Sequence, residues 1–309
     1  MSHVAMIMIV IKILVALGLL IGLIQSGRLN VNGVPESFFS LGHLGVMVLI
    51  LANYGAQIFR WSLLLRTQDF TQSFWWISRI FFIGQFFFMT SLGAVVGEAA
   101  RGYYVIKHAG EGKFGSASTV LVDRMMGLFS YLALGALAFV VMVGRGLVSP
   151  DILWMGLVSW ILLVGMLLFL YLLFLSATER LLQFFLPTGW IVSTRMALMG
   201  YRTKGGVVVR ALVCSFGSSF FLLTAFWAAS HLLGGYVTWL QVFLIVPFVI
   251  IANSLPVSIG GLGVGETVAQ VLMAQVGMAD GAMVMLFIRI TMWCLVLPSG
   301  GMFFVLERK

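Results

Sequence analysis

Nine ionisable residues stand inside strongly apolar runs: Lys12, Arg60, Arg79, Glu98, Arg101, Asp123, Arg124, Glu266 and Arg289. A lone charge at the centre of a membrane helix costs about 2.5–3.5 kcal/mol on insertion scales, so each needs a partner or water. Arg60 and Arg79 lie near the ends of their runs. There a long side chain can reach headgroups, and both are read as snorkelling. Lys12 is ambiguous. Glu98 and Arg101 are spaced i,i+3 and can pair on one helix face. Asp123 and Arg124 are adjacent, so on a helix they point about 100° apart and must find different partners. Glu98, Arg101, Asp123, Arg124, Glu266 and Arg289 are expected to form a core cluster of three acids and three arginines. Two readings are open. The cluster is a structural ion-pair network, or Arg101, Arg124 and Arg289 bind an anionic headgroup. A planar, bidentate guanidinium suits phosphate. Glu98, Asp123 and Glu266 would then orient the arginines or carry protons.

The second feature is a glycine-rich break. Pro256 is followed by Gly260-Gly261-Leu262-Gly263-Val264-Gly265. Proline ends the incoming helix for want of a donor. Gly260, Gly261, Gly263 and Gly265 let backbone amides approach a ligand closely. A helix starting near Gly265 would aim its positive end at the break, a ready place for phosphate. The other reading is a tight turn packed on a neighbouring helix. No Lys-Ser/Thr follows Gly265 and no strand precedes the run, so it is neither a P-loop nor a dinucleotide fingerprint.

Other chemistry is sparse. His3, His43, His108 and His231 are scattered without metal-ligand spacing, and no metal or cofactor is expected. Cys214 and Cys294 both lie in apolar runs, which argues against a disulfide framework. Asn53 and Gln57, spaced i,i+4, are expected to hydrogen-bond between helices. Trp75, Trp76 and Trp239 fit interfacial anchors.

The elements that must position these residues are membrane helices. Hydrophobic types make up 61% of the 309 residues and charged types 9%. Soluble domains run about 45–50% and about 25%. A chain this apolar cannot hide its surface from water, which excludes a soluble enzyme, a disordered tail and a disulfide scaffold. Eight apolar stretches are readable: 4–24, 41–65, 75–97, 118–143, 152–175, 207–233, 241–256 and 281–305. The polar interval 176–206 mixes Arg180, Arg195, Arg202 and Lys204 with Leu181, Phe184, Phe185 and Trp190. It reads as a basic amphipathic segment at the membrane surface, or else an ordinary loop. The net charge of +8 is too thinly spread to coat a nucleic acid, so the anionic partner is expected to be membrane lipid.

Loop charge sets orientation. With 66–74, 105–115, 176–206 and the C-terminus cytoplasmic, that side holds nine basic residues against Arg28 and Arg145 opposite. Residues 75–104 must then enter and leave by one face, and 241–278 by the other. The expected architecture is an all-α polytopic membrane protein with six full transmembrane helices plus two re-entrant hairpins. Both termini are cytoplasmic. An internal repeat agrees. Ser91-Leu92 and Ser254-Leu255 lie 163 residues apart, and Arg124 and Arg289 lie 165 apart. Residues 1–145 and 150–309 would form inverted repeats, a transporter design in which broken helices meet near the midplane.

Together these motifs resemble the flippase-like membrane family that includes the membrane region of lysylphosphatidylglycerol synthetase. Pro256-Val257-Ser258-Ile259-Gly260-Gly261-Leu262-Gly263-Val264-Gly265-Glu266 is similar to its C-terminal signature. Gly97-Glu98-Ala99-Ala100-Arg101 resembles its first motif, and Asp123-Arg124 its acid-Arg pair. Gly93, Val96 and Gly265 stand where the family often has proline, glycine and arginine. The resemblance implies movement of lipids or lipid-linked headgroups between leaflets without fixing the lipid. With the arginines and basic charge read above, the expected cargo is an anionic phospholipid or lipid-linked phosphate, and the expected location the bacterial cytoplasmic (inner) membrane. No nucleotide motif is present, so transport would be gradient-driven or passive. The alternatives are an intramembrane enzyme using Glu98, Asp123 and Glu266 as acid or base, and a non-catalytic partner of a lipid-synthesis enzyme.

Overall fold

The computed structural model describes residues 17–19, 21–25, 37–91, 94–109, 113–174, 201 and 204–307. Among them every regular element is helical. We number the helices α1 (Leu41–Arg66), α2 (Phe74–Thr90), α3 (Ala94–His108), α4 (Lys113–Gly144), α5 (Pro150–Phe174), α6 (Gly205–Leu232), α7 (Trp239–Ser254), α8 (Val264–Ala274) and α9 (Gly281–Glu307). A single 3-10 turn, Ile259–Gly261, sits between α7 and α8.

Five of these helices are long and apolar enough to cross a membrane: Leu41–Arg66, Gly115–Gly144, Pro150–Tyr171, Gly205–Leu232 and Gly281–Pro298. They coincide with five of the stretches read as full spans. The sixth, 4–24, falls mostly outside the described residues, where only 17–19 and 21–24 are seen, as helix. The interval 176–206 also lies outside them except for Tyr201 and residues 204–206.

Local chemistry sets the helix starts. The Ser40 hydroxyl accepts from the His43 amide at 3.2 Å and opens α1. Ser73 does the same for Trp76 at α2. Thr238 and Gln241 form a reciprocal capping box at α7. Such caps satisfy amides that have no carbonyl a turn earlier.

Helices α1 and α6 form the most extensive pairing. They are antiparallel. Gly42 at the start of α1 faces Leu232 at the end of α6, while Lys204 Nζ donates to the Thr67 carbonyl at the opposite end, 2.6 Å away. In lipid, burial from water does not drive helix association; close packing and interhelical hydrogen bonds do. Asn53 Nδ2 donates to the Ser218 carbonyl at 2.8 Å, tying α1 to α6. Ser130 and Ser219 hydroxyls meet at 2.6 Å between α4 and α6. Each such bond contributes about 0.6–1.7 kcal/mol in a bilayer. Trp61, Phe81, Phe226 and Phe287 fill the interior. The outer surface carries large apolar side chains: α5 exposes Leu157, Ile161, Val164 and Leu168, as a lipid-facing helix does.

The shorter helices form two hairpins. Helices α2 and α3 cross where a Cβ on Gly97 would lie 2.5 Å from the Gly84 carbonyl oxygen. Their outer ends return together: Trp76 and His108 rings are 4.9 Å apart. Helices α7 and α8 repeat the pattern, with Met278 after α8 packed on Gly235 before α7. The first hairpin follows the end of α1 and the second the end of α6. Because α1 and α6 are antiparallel, the hairpins hang from opposite ends of the bundle. Their tips touch: the Gly260 amide donates to the Ser91 carbonyl at 3.1 Å.

Candidate functional site

Where the tips meet, the expected charge cluster divides into two unequal parts. The first is a closed knot around the second tip. Glu266 is fully buried, and its Oε2 accepts from the Gly263 amide at 2.8 Å, capping α8 with the helix's own carboxylate. Arg289 on α9 donates through Nε to Glu266 Oε1 at 2.5 Å and through Nη1 to the Gly260 carbonyl at 2.6 Å. Its Nη2 reaches Asn253 Oδ1 at 2.8 Å, with the Gly261 carbonyl and Glu266 Oε2 both at 3.1 Å. All three nitrogens of the guanidinium therefore face protein acceptors. Gly260, Gly261 and Gly263 take φ of +56°, +72° and +81°, which L side chains rarely adopt. There is no room for a side chain either. A Cβ on Gly261 would lie 2.2 Å from Asn253 Oδ1, and one on Gly265 2.8 Å from it. The amides of Gly260, Leu262 and Gly263 all donate to protein oxygens. In this arrangement the break is a turn built on an arginine.

The second part is open. A cavity of about 180 Å³ lies between the hairpins and α1, α4, α6 and α9. At the roughly 30 Å³ that a water occupies in the liquid it has room for about six. Its walls include Arg60, Glu98, Arg101, Asp123 and Arg124, with Tyr54, Gln57, Gln85 and Asn253. Asp123 is held from two sides. Arg60 Nε meets Oδ1 at 2.6 Å, and Arg101 Nη2 meets Oδ2 at 3.0 Å. Arg101 also lays its guanidinium 3.9 Å from the centroid of the Trp61 ring, a contact worth about 2 kcal/mol when desolvated. Arg124 Nη1 pairs with Glu98 Oε1 at 2.7 Å. Asp123 and Arg124 thus go to different partners, as their angular separation demands.

Three expectations are corrected. Arg60 does not snorkel: it is 3% exposed and bonded to Asp123 and to Ser215 Oγ. Its position near the helix end was misleading, because a buried carboxylate on α4 lies within its reach and neutralises it there. The signal was present in sequence, since Asn53, Gln57 and Arg60 make a polar stripe at helical spacing. Arg79 is exposed, as expected. Glu98 and Arg101 do not pair with each other; each reaches across to α4, Glu98 to Arg124 and Arg101 to Asp123. Gln57 bonds to Asn53 within α1 at 2.8 Å, and Asn53 alone carries that pair's bond to another helix.

Arg60 also changes the charge balance. Among the described residues the cavity walls hold three arginines and two carboxylates, one positive charge in excess. Two buried donors at the walls have no protein partner among the described residues, Arg101 Nε and the Tyr54 hydroxyl. Both hairpins share one device: the acid after each tip pairs with the arginine of the following long helix, Glu98 with Arg124 and Glu266 with Arg289.

Residues 9–300 match the family model described as the lysylphosphatidylglycerol synthase TM region. The chain belongs to that family. The match covers nearly the whole sequence, including both tips and all seven charges described above. It makes the chain a membrane protein related to lipid handling. No curated protein and no solved structure matches it.

Proposed function

We propose that this family member moves an anionic phospholipid, or a lipid-linked phosphate, between leaflets, acting as a transporter rather than an enzyme and without nucleotide hydrolysis. The cavity carries this reading. An open cavity whose described walls carry one positive charge in excess and two unpartnered donors favours an anion of charge −1, such as a phosphodiester. Leaving a buried charge unpaired is far costlier than pairing it. Arg101 and Arg124 are the assigned headgroup ligands. Arg289 with Gly260, Gly261, Gly263 and Gly265 forms the rigid tip beside them, and Asp123 orients Arg101. The acyl tails stay in lipid.

The membrane topology belongs to the same proposal: six spans and two re-entrant hairpins in inverted repeats 1–145 and 150–309. Five helices of spanning length, hairpins hung from opposite ends, and the matched acid–arginine pairs support it. The loop charges assign both termini to the cytoplasmic side of a bacterial inner membrane.

The test is transfer of labelled phosphatidylglycerol between leaflets of vesicles reconstituted with the full chain. Combined Arg101→Gln and Arg124→Gln should slow transfer roughly tenfold or more, since a hydrogen bond to a charged group contributes about 1.5–3 kcal/mol. An unchanged rate removes the headgroup assignment. A second reading follows from the family's description as part of a synthase, namely a membrane module working beside a lipid-synthesis enzyme. Co-purification with such an enzyme, together with absent transfer, would favour it.

A further inference from the structure

The three carboxylates of the cluster are not equivalent. Asp123 is clamped by two arginines, and Glu266 by Arg289 and the Gly263 amide. Both are almost wholly enclosed, so separating either from its partners strands a charge, at heavy cost. Glu98 differs on each count. Among the described residues its one ion-pair partner is Arg124, reached by a single oxygen. The two side chains keep 30% and 27% of their exposure, on the wall of the cavity. Arg124 is therefore the one cavity arginine whose protein partner can leave without being stranded.

We infer that Glu98 is an exchangeable stand-in for the headgroup. Its carboxylate occupies Arg124 in the empty protein and is displaced when a phosphate arrives. This rests on the headgroup assignment above. An incoming phosphate oxygen takes the Arg124 Nη1 position, and Glu98 swings to solvent in the widened cavity. No bond is made or broken and no cofactor takes part. Glu98 keeps Arg124 paired between headgroups and weakens their hold, which favours release at the far leaflet. Glu266 and Arg289 form the same pair in the other hairpin with all three guanidinium nitrogens engaged, so that pair is a fixed counterpart and a control within one molecule.

The consequence runs against the usual effect of deleting an ion pair. Removing a competitor tightens binding. Short-chain phosphatidylglycerol titrated into the purified full chain in a zwitterionic detergent should bind Glu98→Gln roughly fivefold more tightly than the unchanged protein, the scale of a partly exposed ion pair. Glu98→Asp, which retracts the carboxylate by one methylene, should fall between the two. Glu266→Gln should bind no more tightly and should unfold at lower temperature. Inorganic phosphate and short-chain phosphatidylcholine complete the set. A gain for inorganic phosphate as well assigns the exchange to the phosphate group itself; a gain confined to phosphatidylglycerol assigns it to the lipid-borne anion. Equal or weaker binding by both Glu98 variants, with Arg124→Gln abolishing binding, overturns the exchange and leaves the headgroup site standing. Full binding by Arg124→Gln removes both.

Discussion

Asp123 shows what a buried charge costs to disturb. Its two oxygens neutralise Arg60 and Arg101 at 2.6 and 3.0 Å with 2% of the residue exposed. Asp123→Asn leaves two arginines sharing one neutral amide. The expected loss is about 3–5 kcal/mol, the cost of removing one partner from a buried pair, read as a lower midpoint in denaturant unfolding in micelles. A loss no larger than that of exposed Arg79→Gln would mean that water already screens the site. Arg289 makes a similar case by geometry. Its planar fork reaches Glu266, Asn253 and two glycine carbonyls at once, whereas a lysine ammonium is a compact point donor. Arg289→Lys keeps the charge and should still lower the thermal midpoint clearly, with Arg79→Lys unchanged as the comparison.

At the scale of the element, the hairpins depend on missing side chains. Gly97 lies where α2 and α3 cross, and a Cβ there would meet the Gly84 carbonyl oxygen at 2.5 Å and Phe88 Cβ at 3.0 Å. Backbone cannot yield as a flexible side chain does. Gly97→Val should therefore splay the hairpin that carries Glu98 and Arg101, at about 1–3 kcal/mol for overpacking. Gly102, five residues further along α3, has nothing within 4 Å of a Cβ. Gly102→Ala should be neutral or stabilising by up to about 1 kcal/mol through helix propensity. Parallel thermal unfolding of the two variants checks the contrast; equal effects would place the crossing elsewhere. At Gly135 the same economy lets α7 approach α4, with Pro247 Cγ 3.4 Å from a would-be Cβ.

The whole molecule is organised by two antiparallel long helices that carry the hairpins at opposite ends. Lys204 beside Thr67 fixes which ends adjoin. This gives a labelling prediction for the proposed topology. Cysteines at Asp69 and Lys107, in a background with Cys214 and Cys294 replaced by serine, should react with an impermeant thiol reagent from the same side of the membrane. Cysteines at Arg145 and Tyr236 should react from the other side. Labelling of 69 and 107 from opposite sides would make α2–α3 a crossing element and sink the re-entrant assignment.

Much of this was legible in sequence because the bilayer enforces simple rules. Hydropathy located the long helices, since a spanning segment must be apolar and satisfy its own backbone. The parity of basic loops, together with the spacing of Ser91, Ser254, Arg124 and Arg289, pointed to two broken regions of matched design. The six-residue charge cluster was visible because charges are rare where water is absent. What stayed hidden was pairing. Glu98 with Arg101 and Glu98 with Arg124 are equally plausible on a linear chain, and position near a helix end made Arg60 look superficial. Only packing decides how far a guanidinium stands from a carboxylate on another helix. Buried electrostatics depend on that distance so steeply that it divided one sequence cluster into a closed knot at Glu266–Arg289 and an open, positively charged cavity at Arg101–Arg124. Sequence alone established that charges stand among apolar stretches; the tertiary structure decided which of them are already satisfied.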